Sequence, residues 1–563
     1  MGNVSRRGFL KGAALATAGV AAASVVGCSS GESSSAEAGS NISWDEEFDI
    51  VIVGSGLAGA SAAAAVALEG SGETCLLLEK SPSALGGGNS PFSGGSVVIT
   101  DEEHLDGCKE YFRELCGSYD TTPDEVLDIY AEYVATNLDF IDRLGANASD
   151  YTVYAPGEWH LPEPITSGSG CWPEYPEIEA AKNTGRLIFT GEEISTVSKF
   201  MLTAVEAHSD VITHKLNAPA TSLVQDPETG TILGVVYEDG SKEKRAKANK
   251  GVIMCCGGFE NNKAMLQDYL SVTNAHPLAG EYNTGDGFPM CLNVGADLWH
   301  MNSCAGFWTG AEKLDGSSHT PYGALGKKSG ITVGTHGRRF YQDVDFGVGL
   351  DWVTTTSGDP DLRTAVGSRH GHQNIGGEWP HQWLPETAWF IFDSAHKDLA
   401  LGGLAAEAAA SSTALGGAAT TTSAFTEDPE ADGWGYQADS ISELAEKIGV
   451  PVDELELTVS VWNEGCDAGR DIQFYRPEHW LTKVSEPPFY AVHCTPEFIN
   501  TDGGPVRNKY GQILDREGNP IPGLYSSGEF GSIWCDMYQG GGNLAECIAF
   551  SRIGVAHMLG TLS

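Results

Sequence analysis

One short stretch restricts the folds open to this chain more than any other. Phe48-Asp49-Ile50-Val51-Ile52-Val53 reads as a buried strand, and Gly54-Ser55-Gly56-Leu57-Ala58-Gly59 follows it at once. An Ala-rich segment with high helix propensity continues to about Leu68. Cys75-Leu76-Leu77-Leu78-Glu79 is a second strand that ends in an acid, twenty residues after Gly59. Strand, glycines, helix, strand and terminal acid in this order predict the opening βαβ unit of a doubly wound α/β fold that binds a dinucleotide. The glycines allow a tight turn and close approach of a pyrophosphate, whose charge sits at the helix N-terminus. Glu79 is placed to accept from ribose hydroxyls. The candidate residues here are Gly54, Gly56, Leu57, Ala58, Gly59, Glu79 and the adjacent Lys80.

The chain has 563 residues, room for about three to five units at roughly 100–200 residues each. It carries 33 Lys plus Arg against 76 Asp plus Glu, a net charge of −43. That balance argues against nucleic acid and against an anionic membrane face as ligands, because the contacts would be repulsive. With 41% hydrophobic residues the chain is not of disordered composition. No apolar run reaches the length of a transmembrane helix.

The first residues read as an address. Ser5-Arg6-Arg7-Gly8-Phe9-Leu10-Lys11 is a twin-arginine export motif, followed by an apolar stretch from Gly12 to Gly27. Val25-Val26-Gly27-Cys28 looks like a bacterial lipobox, which makes Cys28 a lipid-anchor site. Residues 29–44 are Ser-, Glu- and Ala-rich, as in a flexible tether. The expected location is the extracytoplasmic face of a bacterial membrane. The other twelve cysteines form no C-x-x-C pair, so spacing supports neither a haem site nor a cluster.

Beyond the first βαβ unit the motifs resemble one family, the FAD-dependent fumarate reductase and 3-ketosteroid dehydrogenase flavoproteins. Gly86-Gly87-Gly88-Asn89-Ser90-Pro91-Phe92-Ser93-Gly94-Gly95 resembles the family's GGNS–SGG loop at the pyrophosphate and flavin ring. Val252 to Phe259 resembles its ATGGF strand, with Gly257 and Gly258, and Thr284-Gly285-Asp286-Gly287 its TGDG turn. Gly523 to Glu529 resembles PGLYAAGE, where Gly528 and Glu529 meet the FAD ribityl region. Gly540 to Glu546 resembles the final GGN turn and helix, with Asn543 and Leu544 at the flavin. The resemblance implies FAD as cofactor and an α/β architecture, a Rossmann-like FAD-binding domain with an inserted α+β capping domain. The expected organisation is a signal over 1–28, a tether over 29–44, FAD-binding segments over 45–294 and 487–563, and a cap over 295–486. Arg338 and Arg339 are expected to tie the cap to the flavin domain.

Departures from the family pattern bear on substrate. The small-acid reductases carry an Arg just before the final glycines, where this chain has Gln539. A family His maps to Asn500 or its neighbour, and the family's proton-donating Arg maps to Gly347, near Asp343 and Asp345. These losses remove charge-assisted bonds that a dicarboxylate needs. Tyr538-Gln539-Gly540-Gly541-Gly542 instead resembles the final loop of the ketosteroid branch. That resemblance implies that the Tyr538 hydroxyl and the Gly542 N–H hold one carbonyl oxygen and polarise an enone. The proton-transfer residue is left open, with Tyr341 and Asp343 preferred; a buried, protonated Asp suits that role. His370, His372 and His381 read as a polar cap loop rather than a metal site, and no metal is expected. Phe307, Trp308, Trp299, Trp379 and Trp534 are candidate pocket aromatics.

The expectation is an exported FAD-dependent reductase, similar to the cardiac glycoside reductase type of actinobacteria. It would transfer hydride from flavin to an activated C=C of a bulky neutral enone, enoate or unsaturated lactone. The resemblance implies a separate membrane cytochrome or quinone-linked donor for electrons. Alternatives are a 3-ketosteroid dehydrogenase running oxidatively, a fumarate- or urocanate-like small-acid reductase, and a lipid-anchored flavin electron-transfer protein.

Overall fold

In the first βαβ unit, alternate residues of one strand feed two different cores. The strand β1 (Glu46–Val53) turns Ile50 and Ile52 to one side and Val51 and Val53 to the other, and all four are buried. This two-sided burial is what a central parallel strand requires and is why its sequence is a continuous apolar run. The computed structural model describes residues 42–93, 95–117, 121–147, 149–157, 178–189, 196–272, 275–277, 280–319, 325–341, 343, 387–407, 425, 428–474, 476, 478–535 and 539–562. The twin-arginine motif, Cys28, most of the tether, Gly94, Asp345, Gly347, His370, His372, Trp379, His381 and Tyr538 lie outside these residues, as do the side chains of Phe307 and Trp308.

β1 pairs in parallel with β2 (Cys75–Leu78) on one side and with β9 (Lys242–Met254) on the other. The sheet extends through β6 (Ile212–Lys215) beyond β2, and through β19 (Pro520–Ser526) and β18 (Gln512–Leu514) beyond β9. A hairpin of β7 (Ala220–Gln225) and β8 (Ile232–Asp239) branches from β9. The helix α1 (Leu57–Glu69) packs against the C-terminal helix α11 (Gly542–Leu559) and against α5 (Thr196–Ala207). Its alanines at 58, 60 and 62–65 are buried, and small side chains allow the close approach of these helices.

A second sheet is built on β16 (Phe489–Thr501), which pairs with β12 (Cys304–Ala311), β14 (Ala388–Asp393) and β15 (Gly435–Ala438), and with β10 (His276–Pro277). β13 (Gly330–Gly334) completes it beside β14. Helices α9 (Ile441–Ile448) and α10 (Val452–Asp467) join Ile331, Val333, Trp389, Ile391 and Ala491 in a separate core. Phe390, Phe392, Tyr490, Val492 and Cys494 instead join the core that holds Val51 and Val53. Period-two alternation therefore gives the sheet one private face and one shared with the dinucleotide unit. Much of this α+β sheet lies in the segment expected as a cap, and its central strand starts at Phe489 and β10 lies at 276–277, on the far sides of the expected limits of 295 and 486. Strand pairing gathers partners across the chain, which composition along the chain does not display.

A small antiparallel sheet of β3 (Ser96–Ile99), β5 (Gly185–Phe189) and β4 (Tyr151–Tyr154) follows the glycine loop. β3 meets the start of α11 through the Val98 N–H and the Gly541 carbonyl, 3.2 Å apart. Helices α2 (Leu105–Cys116), α3 (Asp124–Val134) and α4 (Asn137–Arg143) pack around the same helix start.

Candidate active site

The turn between β1 and α1 is set by its glycines. Gly54 has φ +97°, and a Cβ there would lie 2.3 Å from the Cys255 carbonyl oxygen. At Gly59 a Cβ would lie 1.8 Å from the Gly54 oxygen, so only glycine lets the helix close onto the strand. Gly56 differs, because a Cβ there meets only the Ser90 Oγ at 3.4 Å. Its open side is the surface that a pyrophosphate would approach, at the N-terminus of α1 where Leu57 and Ala58 begin the helix. Ser90 accepts the Leu57 N–H at 3.0 Å, which joins the second glycine loop to the first. Glu79 is buried and accepts from the Ser55 N–H at 2.9 Å, the Ser55 hydroxyl at 3.1 Å and the Ser81 N–H at 2.8 Å. A carboxylate has capacity beyond these bonds for a ribose.

The second loop is held from behind. Side chains at Gly87 and Gly88 would run into Tyr282 and Asn283. Ser93 donates to the Ser90 carbonyl, and Gly95 leads into β3. Lys80 donates to Thr284 at 2.9 Å and Asp286 at 2.7 Å, which fixes the TGDG-like turn against the end of β2. Gly257 and Gly258 follow β9, and a Cβ at Gly258 would lie 2.3 Å from Thr501 Oγ1 and 2.4 Å from Glu260 Oε1. Gly528, at φ +72°, lets its turn approach Ala58, which a Cβ would meet at 2.9 Å.

Asn89 leads to a feature that sequence reading missed. Its Nδ2 donates to both carboxyl oxygens of Glu529, at 3.2 and 3.3 Å, and to Glu260 Oε1 at 3.4 Å. Glu260 also accepts the Thr501 N–H at 2.6 Å. Burial pushes the Glu260 carboxyl up to about 7. Burial, then the charge of Glu260 and that of Asp502, push Glu529 well above the carboxylate range. The sequence showed Glu260 only as the residue after the GGF turn, and Thr501 and Asn89 are far from it in the chain.

The start of α11 is clamped by residues that no motif marked. Tyr111 on α2 donates its hydroxyl to Gln539 Oε1 at 2.6 Å, and Tyr130 on α3 donates to the Gly542 carbonyl at 3.0 Å. Asn137 donates to the Ala545 carbonyl at 3.2 Å. Trp534 is fully buried edge-on to Phe112 and Tyr130 and leaves no room for a side chain at Gly542. The spacing Cys108, Tyr111, Phe112, Leu115 gives α2 a helical apolar face, but nothing in it names the partner. Glu546 and Arg507 form a fully buried ion pair, and Glu546 also accepts from Ser532 and the Ile533 N–H. The Gly542 N–H, assigned by resemblance to a substrate carbonyl, is already donated to the Gln539 carbonyl at 2.7 Å. Asn543 is different: its amide nitrogen and oxygen are both buried with no protein partner. With Leu544 it begins the helix and leaves first-turn N–H groups for a ligand.

Tyr341 and Asp343 lie in the core rather than on an open wall. Tyr341 donates to Asp343 Oδ1 at 2.6 Å, and Asp343 also accepts from the Thr332 N–H at 2.5 Å and hydroxyl at 3.0 Å. Lys327, with no exposure, donates to Thr332 at 2.6 Å and stands 3.5 Å from Asp343. Burial pushes Asp343 up, but Lys327, Arg476 and the Tyr341 hydroxyl together hold it below the usual range. The expected protonated Asp is therefore corrected: Asp343 is ionised because a buried cation faces it. Burial, then the Asp343 charge, push the Tyr341 hydroxyl well up. Arg338 and Arg339 are corrected too. They bind Glu454 and Asp471, both inside the cap, the second by two parallel bonds of 3.0 and 2.9 Å.

The donor set suits FAD. Glycine turns offer open backbone at Gly56, α1 and α11 both begin directly after a glycine, and the partnerless Asn543 amide matches a group that both donates and accepts, as a flavin pyrimidine edge does. Gly54, Gly56, Leu57, Ala58, Glu79, Asn89, Ser90, Glu529, Asn543 and Leu544 are the residues that would hold it.

Comparisons with known proteins agree. A family model described as an FAD binding domain matches residues 49–544. The chain is 25% identical to the 3-oxosteroid 1-dehydrogenase of Mycobacterium tuberculosis, over 91% of this chain and 98% of that one. It is 26% identical to the digoxin reductase of Eggerthella lenta, over 93% and 91% of the two chains. Its fold matches the 3-ketosteroid Δ1-dehydrogenase of Sterolibacterium denitrificans with a TM-score of 0.66 at 20% identity, over 92% of this chain and all of that one. The chain is an FAD-dependent oxidoreductase, and it belongs to the FAD-binding family of the fumarate reductase and ketosteroid dehydrogenase type.

Proposed function

We propose that this enzyme reduces an activated C=C bond in a bulky neutral enone, enoate or unsaturated lactone. The observation that carries this reading is the neutral final loop. Gln539 stands where small-acid reductases, by resemblance, carry a carboxylate-binding Arg, and it is buried and held by Tyr111. The guanidinium groups of Arg338, Arg339, Arg476, Arg507 and Arg552 are all committed to protein partners. A dianion would meet no such cation among these, whereas a neutral carbonyl needs only a hydroxyl or N–H donor. The two curated relatives named above support the same class, since their names specify an oxosteroid and digoxin.

Bound FAD supplies the two-electron chemistry. The chain's part is to orient the acceptor and polarise its carbonyl, and Tyr538 is the proposed donor. With the Gly542 N–H used inside its own turn, Tyr538 carries more of that task than the sequence pattern implied. Export by the twin-arginine motif and a lipid anchor at Cys28 would place the enzyme outside the cell membrane. Electrons would then come from a separate membrane cytochrome or quinone-linked donor.

The test is anaerobic reoxidation of the chemically reduced holoenzyme by fumarate, urocanate, cinnamates, and neutral steroid enones and lactones. Neutral enones are expected to reoxidise it rapidly, and Tyr538→Phe to lose about 2–4 kcal/mol of transition-state stabilisation, as for a lost oxyanion donor. Rapid reoxidation by fumarate alone would overturn the reading. Reduction of the enzyme by a saturated 3-ketosteroid, with no reoxidation by enones, would favour the oxidative dehydrogenase.

A further inference from the structure

The Glu260 and Glu529 carboxyls share a single amide donor, Asn89 Nδ2, at 3.4 Å from one and 3.2 and 3.3 Å from the other. Glu260 is buried, with 1% of its surface exposed. Among the described residues, the charged and titratable groups that act on the pair, or feel it, include Asp502, Cys304 and Cys547, and none of these is a cation. Asn283 lies beside Glu260, and the Asn89 oxygen is taken by the Gly280 N–H at 3.3 Å. One neutral amide therefore stands between two carboxyls, an arrangement in which both cannot be ionised at low energy.

The pair also lies where a phosphate-bearing ligand would come close. Asn89 adjoins Ser90, which accepts the first N–H of α1. Glu260 reaches back under Gly258, two residues after Cys256 and three after the carbonyl that Gly54 abuts. FAD brings a pyrophosphate dianion to this turn, and its negative charge disfavours ionisation of nearby carboxyls.

We propose that the Glu260–Glu529 pair is the proton-holding element of the cofactor site, so that FAD binds with uptake of a proton by this pair. Asn89 is its positioning residue: it holds both carboxyls on one donor, and the loop that carries it also caps α1. The sign follows from linkage. A ligand that binds the protonated form binds more weakly as pH rises through the free protein's titration, which for Glu260 centres on about 7. The inference rests on the cofactor assignment and not on the substrate reading.

The experiment is FAD titration of the full-length apoprotein by calorimetry, at pH 6.5–8.5, in two buffers of different ionisation enthalpy. Uptake is expected to rise with pH toward about one proton per FAD, and the Kd to increase by up to about tenfold per pH unit at the alkaline end. In Glu260→Gln the oxygen that accepts the Thr501 N–H is kept and the charge is removed. Uptake should vanish and FAD should bind more tightly than to the wild type at pH 8.5. No buffer dependence in the wild type, or an unchanged pH slope in Glu260→Gln, would overturn the proposal. Should the variant fail to fold, the wild-type calorimetry decides alone. Absence of any FAD binding would instead strike the cofactor assignment.

Discussion

Two buried acidic sites in this enzyme have opposite electrostatics. In the cap, Asp343 faces Lys327 and Arg476 and stays ionised. At the cofactor turn, burial pushes both Glu260 and Glu529 up, and the charges of Glu260 and Asp502 push Glu529 further. Desolvation is the largest influence at both, and it acts in the same direction. The facing groups decide the outcome, so burial of a carboxyl does not by itself reveal its charge. The cap site uses a fixed charge to hold a loop. The cofactor site keeps its charge adjustable, beside a ligand that arrives with its own.

The largest effect that tests this contrast is on the cap. Lys327→Met should leave Asp343 buried without its ion-pair partner, with Arg476 remaining, and destabilise the protein by about 3–5 kcal/mol, measured by chemical denaturation of the holoenzyme. A near-neutral result would mean that Asp343 is protonated, and the two sites would then be alike. At the cofactor turn, Gly56→Ala and Gly59→Ala should separate ligand approach from packing. The Gly59 variant places a methyl against the Gly54 carbonyl and should lose both FAD and folded protein. In the Gly56 variant the added methyl meets only Ser90 Oγ at 3.4 Å. It should fold normally, yet bind FAD at least about tenfold more weakly, roughly 1.4 kcal/mol. Equal losses in the two variants would show that Gly56 serves packing alone.

The smallest effect is in the acid limb of stability. A carboxyl held below its ordinary value contributes stability above about pH 4 that is lost as pH falls through its folded value. Asp343→Asn should therefore flatten the acid limb of the denaturation midpoint against pH, whatever its effect near neutrality. An unaltered acid limb would remove Asp343 from the set of ionised native carboxylates.

The two regions were not equally legible. The run Phe48–Val53, the three glycines and Glu79 named the dinucleotide unit because its chemistry is local: φ, helix start and strand burial are set by neighbours in the chain. The GGNS-like loop, the TGDG-like turn and the final helix were readable for the same reason. What they touch was not. Lys80 with Asp286, Tyr111 with Gln539, and Asn89 with Glu529 join residues hundreds of positions apart. The role of β16 as the central strand of the second sheet was not readable either, since it looks like any apolar run until its partners are known.

By itself, then, the sequence determined the cofactor class and the opening βαβ unit, because backbone turns and strand periodicity are short-range. Only the tertiary structure decided which groups carry charge. Asp343 is an anion because folding brings Lys327 to it, and the Glu260 carboxyl is pushed up because folding buries it. Electrostatic energy depends on distance in space, and separation along the chain does not record it.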